Sequence, residues 1–144
     1  MQDLEIVSYS SPREAEETFA VMHELRPHIG PDAYPGCLQR LAGEGVNIIS
    51  AKRDGRVVGC ASYRFQYRLA HGPLVYVDDL VVAASERSGG VGARLLEWVA
   101  EEGKRGGAEM LMLDSGVQRQ AAHRFYFRHG LVVASFNFQK PLAP

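Results

Sequence analysis

Leu74-Val75-Tyr76-Val77-Asp78-Asp79-Leu80-Val81-Val82, followed after a short turn by Glu86-Arg87-Ser88-Gly89-Gly90-Val91-Gly92, is the stretch that decides the fold. The first run is apolar on both faces apart from one adjacent acid pair, as in a strand covered from two sides. Beyond the glycines, Val91, Leu95, Trp98 and Val99 fall on one helical stripe lasting to about Lys104. A strand, a glycine loop and a helix therefore follow one another. Ala108 to Leu113 is a third buried strand, and the intervening helix permits parallel pairing through a crossover.

Working outward, Val46 to Lys52 and Arg56 to Arg68 flank Asp54-Gly55, a turn pair that predicts a β-hairpin. Ser11-Pro12-Arg13-Glu14 supplies an N-cap hydroxyl, a proline at N1 and a glutamate at N3, so a helix begins there and runs to the Arg26-Pro27 step. Leu4 to Tyr9 reads as a short strand before it, the Arg26 to Pro35 segment as a loop, and the residues around Leu38 and Leu41 as a second helix. Ala122, Phe125, Tyr126 and His129 share a helix face with Gly130 placed to cap it, and Leu131 to Phe138 alternates as a closing strand. The expected order is βααββ followed by βαβαβ. This is a single α/β (α+β) domain over residues 1–144, a mixed sheet with helices on both sides.

At 144 residues with 46% hydrophobic content, the chain can bury a core of its own. Sixteen basic against seventeen acidic residues leave a formal charge of -1, which argues against nucleic acid or an anionic membrane as partner. Cys37 and Cys60 lack CxxC spacing, and no long uncharged apolar run is present, so a soluble, reduced, cytoplasmic protein is expected. His123 and His129 could share a helix face, but no third ligand stands at metal spacing, and no metal is expected.

A glycine-lined turn opening a helix leaves backbone N–H groups unpaired at the helix's positive end, which makes an anion cradle. Arg87 adds a charge-assisted donor, and Gly90 and Gly92 allow close approach. The same loop also reads as a plain connector. A P-loop would need Lys-Ser/Thr after the last glycine, where Ala93 and Arg94 stand, and a dinucleotide fingerprint would need glycine where Leu95 stands.

Arg87, Gly90 and Gly92 match a signature of arginine or glutamine, two residues, glycine, one residue, then glycine or alanine. With Asp78 to Val82 upstream and Ala122 to Leu131 downstream, the chain resembles the GNAT superfamily of CoA-dependent N-acetyltransferases. The resemblance covers roughly Val46 to Phe138. It implies acetyl-CoA in a cleft between two splayed strands, its pantetheine paired to the backbone of Leu80, Val81 and Val82. Its pyrophosphate would rest on Arg87, Ser88, Gly89, Gly90, Val91 and Gly92.

The amide near Val82 would stabilise the oxyanion, and Tyr126 would be the acid that protonates the departing thiolate. Reference pKa values of ~10 and ~8.5 suit that transfer. Asp79, or its neighbour Asp78, is the candidate base for the acceptor amine; the pair could equally be structural, bonded to a basic neighbour or to backbone N–H groups. Neighbouring strand residues face opposite sides, so only one should reach the cleft unless a bulge intervenes.

Ser88 stands where the family often has glycine. Arg119 stands where it usually has asparagine, and is expected to touch the cofactor. His28, Tyr34, Tyr63 and Tyr67 offer walls for an unidentified amine acceptor. A catalytically silent acyl-CoA-binding module and an interaction protein with a mere turn are the rival readings, and an exposed Leu131 to Phe138 edge would invite a homodimer.

Overall fold

The computed structural model describes residues 3–87 and 89–143. Met1–Leu113 forms one compact unit and Asp114–Pro144 a second. The first is a five-stranded sheet in the order β1 (Glu5–Ser8), β2 (Asn47–Arg53), β3 (Arg56–Arg68), β4 (Gly72–Val82) and β5 (Met110–Leu113). Neighbours from β1 to β4 are antiparallel; β5 joins β4 in parallel, as the crossover predicts. Asp54 and Gly55 turn the β2–β3 hairpin with φ of 53° and 75°, the left-handed pair such a tight turn requires.

Helices cover both faces. On one side α4 (Val91–Arg105) lays Val91, Leu95 and Val99 on Ile49, Val58, Val75 and Val77. On the other, α1 (Pro12–Ala15), α2 (Phe19–Leu25) and α3 (Tyr34–Gly43) bury Ala15, Met22, Tyr34 and Leu38 against Ile48, Cys60 and Val81. Ser11 caps α1 by accepting from the Glu14 amide at 3.2 Å.

The sequence predicts one helix from Ser11 to Arg26, but a 3₁₀ turn at Glu16–Thr18 divides it. Buried Thr18 donates its hydroxyl to the Ala15 carbonyl at 2.6 Å, competing with the helical bond pattern. The Arg26 backbone, at φ −119° and ψ 66°, then leaves the helix ahead of Pro27.

In the second unit, α5 (Gln120–Arg128) is the only regular element among the described residues. The closing strand expected at Leu131 to Phe138 is not formed. Alternation specifies which side chains could share a face, but a strand exists only where a second backbone completes its ladder, and among the described residues no ladder forms at Leu131 to Phe138.

Candidate functional site

Two neighbouring carboxylates in the middle of β4 face the same problem, desolvation, and the sheet answers it with a bulge. Ser62 pairs with Asp79 and Tyr63 with Val77, so Asp78 is the extra residue. The inward positions accordingly step from Val75 and Val77 to Leu80 and Val82, three residues apart across the bulge instead of two. Each carboxylate meets its own arginine. Arg64 Nε donates to Asp78 Oδ2 at 2.8 Å, while Arg26 Nε donates to Asp79 Oδ1 at 2.8 Å and Arg26 Nη2 lies 2.8 Å from the same oxygen in an ion pair. Arg26 Nη2 also reaches the Asp78 carbonyl at 3.2 Å.

Ser62 Oγ donates to the other Asp79 oxygen, so both carboxylate oxygens already accept a bond. Both acids thus take up basic partners. The sequence signals neither arginine: Arg26 stands 53 residues from Asp79 and reads there only as the end of a helix.

Asp79, and not Asp78, lines a cavity of about 240 Å3 between α2, α3 and the sheet. Met22, Ile29, Leu38 and Ile48 give it apolar walls; Arg26, His28 and Asp79 are its charged and imidazole-bearing lining residues. Arg26 Nη1 has no partner among the described residues, so the guanidinium keeps donors to spare beside the cavity.

Tyr34 forms part of the wall. Thr18 already donates to Ala15, so the Tyr34 hydroxyl donates to Thr18 at 2.7 Å, and burial above all pushes that phenol up to about 12. It stays neutral as a fixed wall. Of the other expected wall residues, Tyr63 lies instead in the α4-side core, edge-on to Trp98, and Tyr67 is exposed. Cys60 behind Asp79 is fully buried, which pushes its thiol far up and leaves no thiolate there to act as a nucleophile.

The glycine loop lies at the end of β4. A 3₁₀ turn at Ala84–Glu86 leads to Arg87, which is exposed, with extended backbone. Ser88, expected to help hold the cofactor, lies outside the described residues. Gly90 adopts φ +80°, where only glycine is unstrained, and its carbonyl accepts the Arg94 amide at 3.1 Å as the first bond of α4. The amides of Val91, Gly92 and Ala93 precede that bond and have no helical acceptor. No side chain caps them, and no carboxylate occupies the first turn.

What brings this helix end to β4 is Gly59. A Cβ there would stand 2.7 Å from Val91 Cγ1 and 3.1 Å from Leu95 Cδ1, so the bare backbone lets α4 settle onto β3 beside Val82, Gly59's cross-strand partner. The β4–β5 ladder stops at Val77 and Leu113, yet β4 continues to Val82. The outer edge from Asp78 to Val82, including Leu80 and Val81, therefore has no strand partner among the described residues. An open strand edge that ends beside a cluster of unpaired helical amides can pair an extended amide-bearing chain and then hold a phosphate.

Within the second unit, Tyr126 is buried on α5. Burial raises its phenol above the ordinary value, and Arg119, which hydrogen-bonds it, pulls in the opposite direction. Arg119 thus has a phenol as its partner in that unit. Phe125 packs against both Tyr126 and His129.

Residues 8–131 match the Acetyltransferase (GNAT) family. An aminoalkylphosphonate N-acetyltransferase of Salmonella typhimurium is 31% identical, the alignment covering 93% of this chain and 89% of that protein. An uncharacterised N-acetyltransferase of Bacillus subtilis is 29% identical over 92% and 95%. Among solved structures, the aminoglycoside N-acetyltransferase AAC(6')-Iy in complex with CoA superposes with a TM-score of 0.85 at 17% identity, covering 99% of this chain and 97% of that one, a likeness of fold. The chain belongs to the GNAT acetyltransferase family and is an acyltransferase. Among the described residues no helix is long and apolar enough to cross a membrane.

Proposed function

We propose that residues 1–144 act as one N-acetyltransferase domain that moves the acetyl group of acetyl-CoA onto the amine of a small acceptor by direct attack. The observation that carries this reading is the open β4 edge ending beside the unpaired amides of α4. Leu80, Val81 and Val82 offer backbone groups to the pantetheine, and Arg87 with Gly89 to Gly92 holds the pyrophosphate. Acetyl-CoA supplies the activated thioester. The Val82 amide stabilises charge developing on the acetyl oxygen, and Tyr126, protonated at working pH because its pKa is raised, supplies a proton to the leaving sulfur.

The acceptor occupies the cavity beside Asp79. Its ammonium meets that carboxylate, and Asp79 takes the proton directly or through water on a lone pair that Ser62 and Arg26 leave open. The spare guanidinium donors of Arg26, in a cavity also lined by His28, favour an amine that also carries an anionic group. The name of the Salmonella relative, which acts on aminoalkylphosphonates, points to the same class.

Isothermal titration with acetyl-CoA, on the wild type and on Arg87→Glu, tests the cofactor site. A free-thiol release assay over aminophosphonates, amino acids and plain alkylamines tests turnover. Binding that collapses in the variant, with release fastest for acceptors carrying an anion, is expected. Binding without release for any amine would favour a silent acyl-CoA sensor; no binding would overturn the reading.

A further inference from the structure

The cavity beside Asp79 lies wholly within the first compact unit. Among the described residues that line it, Arg26 is the one guanidinium and Asp79 the one carboxylate, and they lie 2.8 Å apart. Apart from exposed His28, the remaining wall is apolar or holds its polar group elsewhere. Met22, Leu38 and Ile48 are buried in the core, which fixes that part of the wall.

Ile29 is fixed as well: its amide donates to the Arg26 carbonyl at 3.1 Å, and its carbonyl accepts from His23 Nδ1 at 3.0 Å. The turn that presents Arg26 therefore presents an apolar side chain with it. Tyr34 adds a ring held edge-on to Phe19 at 5.2 Å, its hydroxyl already bonded to Thr18.

Size and charge narrow the occupant. About 240 Å3 lies below the roughly 300–1,000 Å3 of sites for drug-sized molecules, so the cavity holds something of amino-acid size. A polyamine would bring ammonium groups with no second carboxylate to meet, and a polyanion the reverse. Once one ammonium has met Asp79 and one oxyanion has met Arg26, the rest of the molecule meets mainly hydrocarbon. A hydroxyl or a further charge there would lose water without regaining a partner.

Resting on the acetyltransferase reading above, we infer that the acceptor is a small zwitterion, one amine and one carboxylate or phosphonate, whose side chain is a branched aliphatic group or a single aromatic ring. Ile29 and Leu41, the half-buried aliphatic members of the wall, set the size of that side chain, because they can be shortened without opening the core. Each added methylene should tighten binding about 4-fold until the cavity is full. A hydroxyl in place of a methyl, as in threonine for valine, should cost up to about 100-fold.

Calorimetric titration in the presence of CoA reads binding without turnover. The probes are glycine, alanine, valine, leucine, phenylalanine and tryptophan, then threonine, aspartate and lysine; the aminophosphonate counterparts of glycine, alanine and valine repeat the start of the series with the other oxyanion. Free-thiol release from acetyl-CoA over the same probes reads transfer. Affinity should climb from glycine to leucine or phenylalanine, drop at tryptophan, and be weakest for aspartate and lysine. Leu41→Ala should weaken the smaller side chains and admit tryptophan; should that variant not fold, the wild-type series decides alone. An order flat across side chains, or led by threonine, aspartate or lysine, would overturn the inference, as would binding by neither oxyanion series. Transfer in such a polar order would leave the acetyltransferase reading standing. The expected order in binding with no thiol released for any probe would uphold the inference for the cavity and sink that reading instead.

Discussion

Replacing Gly59 by alanine tests the link between core packing and the cofactor cradle. The added methyl would sit 2.7 Å from Val91 Cγ1, 3.1 Å from Leu95 Cδ1 and 3.2 Å from the Val81 carbonyl. Val91 is β-branched and almost wholly buried in the first turn of α4, so it cannot swing clear, and the helix end must move by several tenths of an ångström. Overpacking of this kind costs about 1–3 kcal/mol, and relief of glycine's backbone entropy returns about 0.5–1 kcal/mol. The net loss, about 0–2.5 kcal/mol and centred on ~1 kcal/mol, corresponds to a central fall in Tm of about 3–4 °C for a chain this size.

Because Val91, Gly92 and Ala93 carry the unpaired amides, the same movement should weaken acetyl-CoA binding. Val91→Ala removes the colliding methyl at a cost of its own of about 1.6 kcal/mol, so the double variant should be more stable than the sum of the single losses and should regain affinity. Thermal melts and titration calorimetry on the four proteins complete the cycle. Strict additivity, or a Gly59→Ala protein with unchanged Tm and affinity, would refute the reasoning.

Tyr126→Phe should lower kcat by about 10²–10⁴-fold, the range of a lost general acid, while leaving the calorimetric affinity for acetyl-CoA nearly unchanged. Since burial raises the Tyr126 pKa, its protonated form persists through neutral and mildly alkaline pH, and a pH–rate profile should show no basic limb from this group below about 10. Arg26→Ala should raise the acceptor KM more for amines bearing an anion than for plain alkylamines, whereas Arg64→Ala, whose partner Asp78 is off the cavity, should change stability and leave that ratio alone; steady-state kinetics on both amine classes decides.

Glu17 is held below its ordinary 4.5 by hydrogen bonds from Lys52 and then Tyr9. With the folded pKa depressed, its contribution is present above the unfolded value and is lost as pH falls through the folded one. Denaturant melts across the acid range should show that loss, and Lys52→Ala should flatten it.

Much of this was legible in the sequence, and what was not has a common cause. The Asp54-Gly55 turn, the Ser11 cap and the glycine loop before α4 are local: each depends on dihedral preferences or hydrogen bonds within a few residues, so the chain declares them. The division of the first helix at Thr18 depends on a hydroxyl that Tyr34 also engages from another element. The bulge at Asp78 has no local mark either, because two adjacent acids read the same in a straight strand as in a bulged one. Arg26 became visible as a site residue only when folding brought the C-terminus of α2 onto β4. Residues 131–138 show the converse: the periodicity is there and the ladder is not.

The acid pair ties the register of β4 to the shape of the site. In an unbroken β4, Asp78 and Asp79 would point to opposite sides, and one would enter the apolar layer under α4 at a cost no nearby base offsets. The bulge avoids that by advancing the alternation one residue, so that Leu80 and Val82 take the α4 side and both carboxylates find arginines. The β4–β5 ladder stops at Val77, the residue before that bulge. One inserted residue therefore coincides with three features of the site: an accommodated acid pair, a cavity lined by Asp79, and an edge from Asp78 to Val82 left open. Deleting Asp78 should restore the simple alternation while leaving Asp79 on the face away from α4 and Leu80 and Val82 beneath it. The expected outcome is loss of acetyl-CoA affinity, because the bulge next to which the β4–β5 ladder ends is gone. An Asp78→Asn change keeps the bulge and should spare the affinity; loss of affinity in that variant would show that the carboxylate, and not the backbone register, shapes the edge.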